Sequence, residues 1–468
     1  MRVLILFLLF SFSLVHADSI VHVDSIVYAD MISLRSEKDI ANCNESEKNI
    51  HIIVQDLCSD APPEPSLSSL EKFSKLITLK ISYHRTVFFS DYQLFLNEFL
   101  NMPSLPELSE FDLSEIRLLF DQEQFDLYLE KISQYPHLKK LKLGELGKRS
   151  LKLPRISFDK ISLISSLEDL DLSSVSCGHL AIGLPAIDLL PNLKVLNLSH
   201  NYLVSTLETY FIHPLLENID LTYSFIYSST KSKPINLFPT CKNLTTLNLS
   251  YAQMPLESLD FSNVAPELQV LIMDGVKNLA TMRFDSIGQN SKLRSFSMSE
   301  IVLSAENLEQ AQWTTLPHLE SLNLMGSSIK GLCFSSLVPN LVHLNLAFSN
   351  VSPKDLQAIS KLSNLVDIDL TNTKISKGAI KSLSQLKCLK RIVLVNTQLS
   401  GANFEQLATL PQLEVLDLSG ANIAVEDLKK LSSLQQVKEI RLLDMQNKNL
   451  SIFIDELVQQ MPNTQIVH

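Results

Sequence analysis

The chain has 468 residues, 45% of them hydrophobic, with 11 glycines and one tryptophan, a composition too apolar for a disordered chain. The 40 Lys and Arg against 51 Asp and Glu leave a formal net charge of −11, which argues against nucleic acid as the main ligand, because phosphate binding needs a basic surface. Six cysteines are too few for a secreted scaffold built on disulfides.

Residues 1–17 read as a signal peptide. Arg2 supplies a positive start, Val3 to Val15 is apolar apart from Ser11 and Ser13, and Val15-His16-Ala17 places small residues where cleavage before Asp18 requires them. The run falls well short of the roughly 20 apolar residues that cross a bilayer, so the expectation is export without a stable membrane anchor. The mature protein is expected outside the cytosol, either secreted or in a periplasmic or cell-surface location.

Residues 18–65 form a leader and N-terminal cap region. A six-residue unit runs His16-Ala17-Asp18-Ser19-Ile20-Val21, then His22-Val23-Asp24-Ser25-Ile26-Val27, then Tyr28-Ala29-Asp30. The His–Asp spacing hints at a metal, but only two units carry His and cleavage would remove the first. No metal or other cofactor is expected. Asn49 to Gln55 has the β-rich composition of a first capping strand. Cys43 and Cys58 are the one close cysteine pair and could staple this end, a pairing that spacing leaves open. Ala61-Pro62-Pro63-Glu64-Pro65 then breaks regular structure.

From residue 66 to 468 one pattern recurs, Leu-x-x-Leu-x-Leu. It appears as Leu76-Ile77-Thr78-Leu79-Lys80-Ile81 and again from Leu108, Leu138, Leu167, Leu193, Leu216, Leu244, Leu268, Leu293 and Leu319. It continues from Leu341, Leu365, Leu389, Leu413 and Val437, with a partial unit at Thr464. Positions one, four and six of each unit point inward, and the residues between them face out of a short strand. One unit cannot bury its apolar edge alone, so units must stack into a continuous core. After Leu341 the units are strictly 24 residues long, and earlier ones are longer and uneven. Ser352-Pro353-Lys354-Asp355 is a helix start, followed by Leu356, Ile359 and Leu362 on one helical face. Ser376 and Ser400 open the next two helices in the same way.

Asn372-Thr373-Lys374-Ile375-Ser376-Lys377-Gly378-Ala379-Ile380 resembles the Thr-x-Val-Thr-Asp-x-Gly-Leu segment of 24-residue leucine-rich repeats, which are common in bacteria and related to the ribonuclease-inhibitor class. It departs from them at Lys377, where Asp is usual. The resemblance implies an α/β fold, a right-handed curved solenoid with a parallel sheet on its concave face and helices on its convex face. It also implies a protein that works by binding.

Such solenoids bind through outward strand residues and the loops after the strands. Asp171, Asn197, Asp220 and Asn248 belong to an acidic and amide-rich outward column, which is either a partner surface or simply favoured repeat wording. His200, Tyr223 and Tyr251 share one repeat position just after three consecutive strands, with Tyr202 and Phe225 two residues beyond the first two. The rings are expected to form a rim patch of the kind enriched at binding hot spots, or in part to pack inward. Asn197 and Asn248 also lie in Asn-x-Ser/Thr sequons. No Gly-x-Ser-x-Gly, His-Glu-x-x-His or Cys-x-x-Cys is present, so no enzyme activity is expected. The leading expectation is an exported scaffold for a protein partner. The alternatives are a structural, self-associating envelope protein and a host-directed adaptor for ubiquitin ligation.

Overall fold

The structure is a computed structural model that describes residues 32–34, 37–54, 67–83, 91–116, 121–143, 157–175, 189–205, 213–228, 241–254, 265–277, 287, 292–301, 316–327, 334–375, 379–445 and 450–468. The signal peptide, the tandem leader to residue 31, Cys58, Ser376 and the Pro62–Pro65 break lie outside the described residues.

Among the described residues, 18 strands form one parallel sheet. Each strand pairs with the next in chain order, as where Val195–Asn197 pairs with Asp169–Asp171 on one side and with Asn218–Asp220 on the other. The units read from Leu76 to Thr464 all lead into a strand. Asn49–Val54 precedes them and pairs along its whole length with Thr78–Tyr83. A further strand, Ile32–Leu34, pairs with Ile50–Ile52, so the sheet begins well before residue 66.

The inward positions account for the sheet. Leu193, Leu196 and Leu198 are essentially inaccessible, and so are Leu413, Leu416 and Leu418 in a distant unit. All of them join one cluster of buried residues that extends from Ile50 to Met461. Burying each such side chain stabilises by roughly 1.5–3 kcal/mol, and no unit has a core of its own. Helices form the opposite wall and pack on one another, Pro353–Ile359 against Ala379–Leu383 and the latter against Gly401–Leu407. Ser352 caps the first of these: its hydroxyl accepts the Asp355 N–H, while the Asp355 carboxylate accepts the Ser352 N–H at 2.8 Å. Asn403 does the reciprocal half of that task for Ser400, whose N–H it accepts at 2.8 Å. Among the described residues, no helix is long and apolar enough to cross a membrane.

Candidate binding rim

The turn after each strand has a fixed geometry. The eighth residue of twelve successive units adopts positive φ: Ser174, His200, Tyr223, Tyr251, Gly275, Glu300, Gly326, Phe348, Asn372, Asn396, Gly420 and Asp444. This conformation aims the residue's N–H along the solenoid, into the next unit. The His200 N–H donates to the Thr222 carbonyl at 2.7 Å, Tyr223 to Ser250 at 2.8 Å and Tyr251 to Asp274 at 2.7 Å. Phe348, Asn372 and Gly420 make the same bond farther along. The ladder demands the conformation, whatever side chain the position carries.

Glycine, Asn and Asp adopt it readily, whereas a bulky L-residue is held there at a cost of roughly 1–2 kcal/mol. His200 at φ 59°, Tyr223 at 55° and Tyr251 at 55° therefore carry strain that the units with Gly or Asn avoid. Their rings form one stack. His200 and Tyr223 lie 5.0 Å apart at 20°, and Tyr223 and Tyr251 lie 4.5 Å apart at 3°. Tyr251 leans over Gly275, where a Cβ would collide with its Cδ1 and Cε1, and its hydroxyl donates to the Glu300 carboxylate at 2.7 Å. Burial, reinforced by that hydrogen bond, holds the Tyr251 phenol well above the ordinary tyrosine range. Tyr223 is 46% exposed.

A second stack stands beside the first. Tyr202 and Phe225 lie 4.6 Å apart with ring planes nearly parallel at 4°, each opening a strand of a small parallel sheet formed by Tyr202–Ser205 and Phe225–Ser228. Asn201 and Ser224, fully buried between the two stacks, tie them down. The Asn201 amide donates to the Leu172 and Leu198 carbonyls at 2.7 and 2.9 Å, and the Ser224 hydroxyl to Leu198 at 2.7 Å. The structure therefore brings together all five aromatic residues singled out in the sequence. Gly275, Glu300 and Asn201 join them, and sequence reasoning missed these three. Gly275 and Glu300 stand at the same repeat position as the rings, which was the signal available for them.

The four outward residues Asp171, Asn197, Asp220 and Asn248 sit in lateral register on adjacent strands. Each spends one oxygen on its own turn. Asp171 Oδ1 accepts the Ser173 N–H at 2.8 Å, Asn197 Oδ1 the Ser199 N–H at 2.9 Å, Asp220 Oδ1 the Thr222 N–H at 2.8 Å and Asn248 Oδ1 the Ser250 N–H at 3.0 Å. The preference for Asp or Asn here is thus partly structural, because the side chain satisfies the N–H that enters the turn. Their second polar atoms remain on the half-buried outward face.

Charge divides this outward face into three zones. Alternating charges fill the N-terminal zone, where Lys140 pairs with Glu110 at 3.4 Å. In the C-terminal zone Arg391 pairs with Asp367 at 3.2 Å, and Arg441 with Glu439 at 2.5 Å. Desolvation there raises the Asp369 carboxyl, against the pull of its bonds to Thr371 and of Arg391. From Val195 to Asn323 the outward strand residues are short and uncharged apart from Asp220: Asn, Ser and Thr with Val and Ile. The aromatic rim flanks the start of this neutral trough.

The architecture recurs in solved structures. A chain of the mouse RP105/MD-1 complex superposes with a TM-score of 0.53 over 90% of this chain and 75% of that one, at 17% identity. This is a leucine-rich-repeat solenoid. Its long sheet lines the concave face, and the helices form the convex side. A Leptospira interrogans LRR protein gives a TM-score of 0.47 at 17% identity, covering 93% of this chain and 100% of that one. The internalin inlF from Listeria monocytogenes gives 0.45 at 17% identity, covering 80% and 88%. No protein-family model and no curated protein sequence matches the chain.

Proposed function

We propose that this leucine-rich-repeat chain is an exported recognition scaffold that captures a protein partner on the rim formed by His200, Tyr202, Tyr223, Phe225 and Tyr251. The trough beside them, with Asp171, Asn197, Asp220 and Asn248, completes the surface. One observation carries this reading: three consecutive units place stacked aromatic rings at a positive-φ position where six of the other nine units use Gly, Asn or Asp, the remaining three being Ser174, Glu300 and Phe348. Strain kept in a row of exposed side chains is a mark of function, since the fold is served better by the alternatives. Stacked tyrosines also offer large contact area at small entropy cost.

The test is to replace Tyr223 and Tyr251 by Asn, which suits positive φ and removes the ring. Affinity capture with the full chain is expected to lose its partner, while the melting temperature stays level or rises. Capture that survives, or a large fall in melting temperature, would show that the rings serve the core. Export rests on residues 1–17, and sequencing of the mature N-terminus is expected to start at Asp18. The even spacing after Leu341 supports membership of the 24-residue repeat class.

A further inference from the structure

We infer that the trough beside the rim takes a proline-rich polypeptide segment without acidic side chains, in the polyproline II conformation, lying along the solenoid axis. This rests on the reading of the rim as a docking surface and names what docks there. Three observations support it.

The first is the order of hydrogen-bonding groups. Each of Asp171, Asn197, Asp220 and Asn248 has its Oδ1 pinned by the N–H two residues on. The amide orientation of both Asn residues follows, because an N–H needs an oxygen. What faces the trough is therefore an acceptor at Asp171, a donor at Asn197, an acceptor at Asp220 and a donor at Asn248. Among the described residues, none of these second atoms makes a hydrogen bond.

The second is the spacing. Adjacent strands lie about 4.8 Å apart, so the like groups, two donors or two acceptors, repeat every ~9.6 Å. A polyproline II helix has three residues per turn and rises ~3.1 Å per residue, so it repeats every ~9.3 Å with its carbonyls free of internal bonds. An extended β-strand presents equivalent groups every two residues, roughly 6.6 Å apart, and falls out of step. One carbonyl per turn can meet the Asn197 and Asn248 amides, and an N–H from a non-proline residue can meet Asp220.

The third is chemical complementarity. Asp171 and Asp220 are carboxylates and the other outward residues from Val195 to Asn323 are short and neutral, so an acidic segment would be repelled and would lose hydration there without gaining a partner. The turns that follow these strands carry the stacked rings of His200, Tyr223 and Tyr251, with Tyr223 exposed. Aromatic-lined grooves are what pyrrolidine rings pack against.

The experiment pans a display library of random short peptides against the full chain, then measures a selected synthetic peptide by fluorescence anisotropy. Proline-rich sequences without acidic residues are expected to be enriched, and an uncharged one of them is the peptide measured. The double variant Asn197→Asp and Asn248→Asp keeps both Oδ1 acceptors but turns the outward donors into acceptors. It is expected to weaken binding at least about tenfold, with its melting curve showing that the fold persists. Enrichment of acidic or proline-free sequences, no enrichment, or indifference to the amide exchange would overturn the assignment. If proline-free peptides bind and are lost with Tyr223→Asn, the rim remains a docking surface and only the polyproline assignment falls. If no bound peptide depends on Tyr223, both fall.

Discussion

The units from Leu341 to Val437 and those from Leu193 to Leu268 share a backbone but not a use for it. Both bury the first, fourth and sixth residues, and both turn at an eighth residue of positive φ whose N–H bonds the next unit. In the later stretch that residue is Phe348, Asn372, Asn396, Gly420 and then Asp444, mostly types that accept the conformation. In the earlier stretch it is His200, Tyr223, Tyr251 and then Gly275. Gly420 and Gly275 play one part in both: each leaves room for the preceding unit's side chain, Asn396 or Tyr251, to lie across it. The difference teaches that a position under strict backbone control can still carry information in its side chain.

Four perturbations break or sharpen this contrast. The largest effect is expected from Leu416→Ala and Leu196→Ala, which open equivalent holes in the two stretches. Each should cost about 2–5 kcal/mol in denaturant unfolding. A much smaller loss at Leu196 would mean that the earlier stretch lacks the shared core. Next, Gly275→Ala forces a Cβ against the Tyr251 ring at φ 63° and should cost about 1–3 kcal/mol. Part of that loss should return in a Tyr251→Ala background, and strict additivity in the double mutant would refute the collision. Ser352→Ala removes the cap of Pro353–Ile359 and should cost ~1 kcal/mol by the same unfolding measurement.

The smallest effect concerns protonation. Because the folded Tyr251 phenol sits above its unfolded value, the neutral form is the one the fold favours. Its stabilising contribution is complete below the ordinary tyrosine value, near pH 10, and is lost as pH rises through the folded value. Absorbance titration should show Tyr251 among the late-ionising tyrosines, together with the buried Tyr128 and Tyr135. Glu300→Gln should shift one of these late ionisations toward the ordinary tyrosine value, by removing the carboxylate that resists a second negative charge, and leave the other two in place.

Much of the fold was legible because its signal is periodic. Leucines at fixed offsets mark the inward side of each strand, and the Ser-Pro-Lys-Asp start at Ser352 marks a helix end. The alignment of His200, Tyr223 and Tyr251 was legible for the same reason. Ile32–Leu34 was not, because a single edge strand of three residues has no period to reveal it. Nor could the sequence show that Asp171 or Asn248 commits one oxygen to its own turn, since that depends on where the N–H two residues later points.

The sequence by itself determined the repeat, the inward columns and which units carry rings. These follow from local spacing and from the need of every unit to cover its apolar edge. Only the tertiary structure decided that the ring position lies in the left-handed region, that the rings stack in two columns, and that Tyr251 reaches across Gly275 to Glu300. Those facts come from how one unit hydrogen-bonds to the next. That geometry belongs to the stack of units and to no single segment of chain.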